Sequence, residues 1–169
     1  AEDYENLGRV ASRRVARVKC NTPAQVGGTI PPGMIELLVV PAAFDALQVG
    51  DRSRLTLDEA LIKAVRTHLD QYRLLTTTLN IREPHYLGVE VQAQIVLSEY
   101  HRAEVVLARA REFLEHFICP LALETTDERL SEFLGPDWEG WPFGRDLYVS
   151  EVYSLLQQVP GVKHVLEVK

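Results

Sequence analysis

The chain has 169 residues, of which 46% are hydrophobic and 25% charged, so it is long enough to bury a real core in one large domain or two small ones. A net charge of −6 argues against generic nucleic-acid binding. No apolar run approaches the roughly 20 residues needed to cross a bilayer as a helix.

Residues 2–12 carry Tyr4, Leu7, Val10 and Ala11 at helical spacing and predict a short helix. The acidic opening Ala1-Glu2-Asp3-Tyr4 does not read as a secretory signal. It also lacks Met, which suits a piece of a longer chain. Val15–Cys20 alternates, with Ala16, Val18 and Cys20 on one face, and predicts a strand. Residues 21–33 hold Pro23, Gly27, Gly28, Pro31, Pro32 and Gly33 and predict an exposed loop, a candidate hinge or contact site. Met34–Val40 is almost wholly apolar and predicts a buried strand antiparallel to the first, ending at Pro41.

Thr56 and Glu59 form a candidate capping box ahead of a helix over 57–73. Its apolar face would hold Ala60, Leu61, Ala64, Val65, His68, Leu69 and Tyr72, with His68 a hydrogen-bonded residue at the edge of the core rather than a ligand. Thr77, Leu79 and Ile81 then alternate with Thr78, Asn80 and Arg82 until Glu83-Pro84 breaks the strand. A long half-buried strand follows over 89–97, with Val89, Val91, Ala93, Ile95 and Leu97 on one face.

A helix over 101–117 presents Ala103, Val106, Leu107, Ala110, Phe113, Leu114 and Phe117 on one stripe. Residues 121–139 read as irregular and acidic, with a short helix around 126–134. Gly140-Trp141-Pro142-Phe143-Gly144-Arg145 forms a rigid aromatic turn, followed by a helix from Tyr148 to Gln158 and a strand from Val162 to Val168. The interleaved elements predict an α+β protein of two small ferredoxin-like two-layer sandwiches with mainly antiparallel sheets. The modules are 1–83 and 84–169, with Pro84 a candidate hinge.

Motifs for chemistry are sparse. Gly27-Gly28 lacks the spacing of a phosphate loop and the Lys-Ser/Thr that would follow it. Neither a GxSxG elbow nor an HExxH helix is present. The five histidines are scattered; His101 and His116 stand about four helical turns apart and cannot share a metal. Cys20 and Cys119 fit two buried reduced thiols better than a disulfide framework. No cofactor or metal is expected.

Asp137 and Glu139 beside Trp138 and Trp141 superficially resemble a sugar site. A solvated acidic turn next to an aromatic anchor is the simpler reading. Among the aromatics, Trp141 and Phe143 are expected to anchor the fold and Trp138 to face a partner, with Arg145 capping the acidic loop, pairing with a neighbour or simply exposed at the surface. Arg13, Arg14 and Arg17, in the basic first twenty residues, could meet the acidic 124–139 stretch of a neighbouring subunit; two solvated surfaces are the simpler alternative.

Gly140–Arg145, then Val149-Ser150-Glu151-Val152-Tyr153 and Val159-Pro160-Gly161-Val162, resembles the C-terminal signature of baseplate J-like proteins, wedge components of contractile phage tails, R-type pyocins and related injection particles. Glu2-Asp3-Tyr4-Glu5 with Ala16-Arg17-Val18, Leu74-Leu75-Thr76-Thr77 with Pro84-His85-Tyr86, and Phe117-Ile118-Cys119-Pro120-Leu121 are similar to the same family. The irregular stretch 122–139 departs from it, and family members usually carry a further N-terminal region.

The resemblance implies a non-enzymatic structural role in baseplate assembly. It implies contacts with other wedge and hub proteins and self-association within the wedge. The site would be assembly in the bacterial cytoplasm and residence in the particle baseplate. No catalytic residues carry over. The alternatives are a small-ligand-binding regulatory ferredoxin-like domain and a tail-associated glycan hydrolase using Asp137 or Glu139.

Overall fold

The computed structural model describes residues 1–27 and 29–169; Gly28, half of the Gly27-Gly28 pair, lies outside the described residues. The chain divides into two compact units, Ala1–Tyr86 and Leu87–Lys169. Both are α+β, with three-stranded and two-stranded sheets among the described residues.

The first unit opens with helix α1 (Glu2–Val10), whose first turn carries Glu2, Asp3 and Glu5, where carboxylates complement the helix dipole. Gly8 lets α1 lie close on the sheet: a Cβ there would stand 3.2 Å from the Val18 methyls. Strand β1 (Val15–Asn21) pairs antiparallel with β2 (Met34–Pro41), as the sequence predicts. The register slips between Val15 and Arg17, and this bulge brings both Val15 and Val18 into the core. Ala16 is consequently only half-buried.

Strand β3 (Thr78–Arg82) adds to the other side of β2, with Met34 opposite Thr78 and Leu38 opposite Arg82. This pair is parallel, so the first sheet is mixed rather than mainly antiparallel. Parallel strands need a crossover, which helix α3 (Glu59–Leu69) provides. The central position of β2 explains its almost wholly apolar run: Leu37, Val39 and Val40 have no exposed surface. Glu36 is the exception. It accepts Arg82 Nε at 2.6 Å and Asn21 Nδ2 at 3.1 Å, tying β2 to both neighbours.

The start of α3 departs from the expected capping box. Asp58 is the N-cap; its Oδ1 accepts the Leu61 N–H at 2.6 Å, and its other oxygen pairs with Arg14. Thr56 instead donates its hydroxyl to the Ser53 carbonyl at 3.1 Å, closing a 3₁₀ turn over Arg52–Leu55. That turn and the short helix α2 (Phe44–Gln48) carry too few residues to show a period in sequence.

Only Leu61, Val65 and Leu69 of α3 are buried, a narrower stripe than Ala60, Ala64 and Tyr72 would have made. They meet Val15, Val18, Cys20, Leu37, Val39, Leu79 and Ile81 in the core. Each large side chain buried there contributes about 1.5–3 kcal/mol. His68 packs against Tyr72 with ring centroids 5.3 Å apart. Its Nε2 is buried without a hydrogen-bond partner among the described residues, contrary to the expectation.

The second unit pairs β4 (Ala93–Leu97) antiparallel with β5 (Val162–Val168) and packs on them helices α4 (Ala103–Ile118), α5 (Glu128–Leu134) and α6 (Val149–Gln158). β4 is shorter than the predicted 89–97. Gln92 and Lys169 exchange both backbone bonds, and there the ladder stops. Val106, Ala110, Phe113 and Phe117 of α4 face the core, whereas Ala103 and Leu107 are exposed. Gly161 has φ +99°, and a Cβ there would stand 2.6 Å from a Val106 methyl, so the Pro160-Gly161 turn seats closely on α4.

Cys20 and Cys119 are both buried thiols, one in each unit. Among the described residues no helix is long and apolar enough to cross a membrane.

Candidate functional site

The segment that carries the family resemblance folds as a brace on the second unit. Its first fixed point is Gly140, with φ +100°; a Cβ there would lie 2.6 Å from backbone atoms of Pro120 and Leu121. This contact lets Trp141 donate its backbone N–H to the Cys119 carbonyl at 2.7 Å. The turn is thereby pinned to the chain leaving α4.

Phe117, at the end of α4, is the hub of the aromatic cluster. Trp138 stacks on it at 5.9 Å with ring planes 8° apart. Trp141 meets it edge-on at 5.1 Å, and Phe133 of α5 does so at 5.9 Å. Aromatic pairs in these geometries stabilise by about 0.5–1.5 kcal/mol beyond their burial. Trp138 was expected to face a partner; its ring lies on Phe117, and its Nε1 is buried with no hydrogen-bond partner among the described residues. Phe143 is half-buried.

Arg145 joins the turn to α6. Its guanidinium lies 4.7 Å from the Trp141 ring centroid, and its carbonyl accepts the Trp141 indole N–H at 3.1 Å. The same guanidinium pairs with Glu151, whose other oxygen accepts the Tyr148 backbone N–H at 3.1 Å at the start of α6. The pairing partner lies within the same unit, six residues downstream.

His116 adds a second tie. It is 5% exposed, with Nδ1 2.8 Å from the Glu112 carbonyl and Nε2 3.1 Å from the Glu124 carbonyl. The ring thus fastens the acidic stretch to α4. Sequence spacing gave no sign of this, because both partners are backbone atoms.

An open groove of about 370 Å³ runs beside the brace. Phe117, Phe133, Leu134 and Trp138 form its apolar wall; Arg145, Glu151, Ser150 and Ser154 form the polar one. Asp137 and Glu139 are exposed and lie outside it. Among the described residues no three His, Cys, Asp or Glu side chains gather as a metal site.

The basic residues Arg13, Arg14 and Arg17 sit in the first unit, beyond α1 rather than on it. Arg13 is exposed in the turn, Arg14 is held by Asp58, and Arg17 is half-buried on β1. Nearby, burial pushes the Glu5 carboxyl up, but its bonds to the Cys20 amide and Lys19 prevail and hold it below its ordinary value.

No protein-family model matches the chain, and no curated protein matches its sequence.

Proposed function

We propose that this chain is a structural subunit of the baseplate wedge of a contractile phage tail or tail-like injection particle, acting through protein–protein contacts. In this reading each unit is a reduced ferredoxin-like sandwich. The partners are other wedge and hub proteins and further copies of the chain. Assembly takes place in the bacterial cytoplasm, and the final location is the particle baseplate.

The observation that carries the reading is the internal commitment of the signature residues. Trp141 donates its backbone N–H to Cys119 and its indole N–H to Arg145, turns its ring face to the Arg145 guanidinium and meets Phe117 edge-on. Arg145 in turn is engaged by Glu151. These residues fix backbone geometry, as an assembly module requires. In the groove, the Arg145 charge is paired with Glu151 within the unit. A glycan hydrolase would need Asp137 or Glu139 in a cleft, and both lie outside the groove.

The test is particle composition. Tail particles purified from the producing cells should contain the chain by mass spectrometry, and deleting its gene should abolish sheathed tails in negative-stain micrographs. Intact, contractile particles assembled without it would overturn the proposal.

A further inference from the structure

Exposed sheet edges invite pairing with another strand, and folded proteins usually block them. Among the described residues, three of the four edge strands are blocked by side chains from adjacent helices and turns. On β1, Glu5 of α1 accepts the Cys20 N–H at 2.9 Å. On β3, Arg66 of α3 donates to the Leu79 carbonyl at 3.1 Å, and just before the strand Arg73 donates to the Thr77 carbonyl at 2.8 Å. On β5, the Gln157 amide acts as a substitute peptide group: Nε2 donates to the Lys163 carbonyl at 3.2 Å, and Oε1 accepts the Val165 N–H at 3.3 Å. Tyr153 completes that edge, its hydroxyl donating to the Val165 carbonyl at 2.7 Å.

The outer edge of β4 has no such block. Gln92 exchanges both backbone bonds with Lys169, so by alternation Gln94 and Val96 also turn toward β5, opposite Glu167 and His164. Ala93, Ile95 and Leu97 therefore direct their N–H and C=O groups away from it. Among the described residues none of these outward groups has a hydrogen-bond partner. The strand is also undefended by charge: Val91-Gln92-Ala93-Gln94-Ile95-Val96-Leu97-Ser98 contains no charged residue, proline or glycine.

We propose that the outer edge of β4 is the seam at which a second copy of this chain adds, antiparallel and two-fold symmetric about Ile95, giving a continuous four-stranded sheet. The match is self-complementary. Ile95 exchanges bonds with the second copy's Ile95, and Ala93 with the second copy's Leu97. On the outer face Gln94 stands opposite the second copy's Val96, so the seam brings no like charges together. On the helix-covered face Ile95 and Leu97 already pack against the core, which the second copy's matching pair extends. The proposal rests on the assembly reading, to which it adds a surface and a partner. Its test reads solution mass rather than particle content, so either can fail alone.

In sedimentation equilibrium the full chain should run at twice its 19.1 kDa. Gln94 and Val96 are both exposed, so changing them leaves the core untouched. The variant Gln94→Lys with Val96→Lys places lysines opposite one another across the seam and should run as a single chain with unchanged circular dichroism. Mixing it with Gln94→Glu, Val96→Glu should restore the doubled mass. A wild-type chain that stays single at every concentration, a lysine variant that stays paired, or a mixture that fails to pair would each overturn the proposal.

Discussion

Arg145 holds Trp141 from two sides: its guanidinium lies 4.7 Å from the ring centroid, and its carbonyl accepts the indole N–H at 3.1 Å. The pair couples the aromatic turn to α6, because the same guanidinium pairs with Glu151. Trp141→Phe keeps an aromatic edge toward Phe117 but removes the indole donor and weakens the cation–π contact. The second unit should lose about 1–2 kcal/mol. Both tryptophans of the chain lie in this unit, so the fluorescence of Trp138 follows its urea unfolding. An unchanged midpoint would show that the brace is not stabilising.

Gly140→Ala tests the close approach on which the turn depends. The substitution combines a positive φ with a Cβ 2.6 Å from the Pro120–Leu121 backbone. Backbone cannot yield as a flexible side chain would, and a loss of about 2–4 kcal/mol is expected in the same unfolding measurement. Gly144→Ala is the control: its φ of +68° strains the variant, but no atom lies within 4 Å of the added Cβ. It should cost less than Gly140→Ala, and the reverse order would remove the steric argument.

Asp58 and Thr56 make opposite predictions for the start of α3. Asp58→Ala removes the bond to the Leu61 N–H and the partner of Arg14, and should cost about 1 kcal/mol. Thr56→Ala should stay within about 0.5 kcal/mol of wild type. Thermal unfolding followed by circular dichroism distinguishes them, and a larger effect at Thr56 would reinstate the capping box expected from sequence.

Glu36 supplies a pH dependence. The Arg82 guanidinium is the chief cause that holds its carboxyl below the ordinary value; burial opposes this, and the Asn21 amide adds to it. A carboxyl depressed on folding stabilises the protein above its unfolded pKa, and that stabilisation fades as pH falls through the folded one. Glu36→Gln should therefore weaken the first unit near about pH 7, and the gap to wild type should narrow toward about pH 3. Backbone hydrogen exchange at Leu37 and Ile81 reads this locally. A gap that widened with acid would contradict the assignment.

Much of the local structure was legible in sequence. Helices α4, α5 and α6, strand β5 and the break at Pro160-Gly161 follow from apolar spacing and turn residues close together in the chain. The antiparallel β1–β2 pair was equally readable from two short strands around a Pro/Gly-rich loop. The large aromatics Trp141 and Phe143 announced an anchor, but the sequence did not show that Trp138 would join Trp141 on Phe117.

Sequence by itself determined where the chain could be helical or extended and which faces were apolar, because those signals repeat every two or nearly four residues. Tertiary structure decided the parallel β2–β3 pairing, the capture of Glu124 by His116, the Arg145–Glu151 closure, and which sheet edges Glu5, Arg66, Arg73 and Gln157 block. Most of these contacts end on a backbone carbonyl or amide, which every residue carries alike. Their partners are therefore chosen by where the fold places the chain and leave no imprint on residue identity.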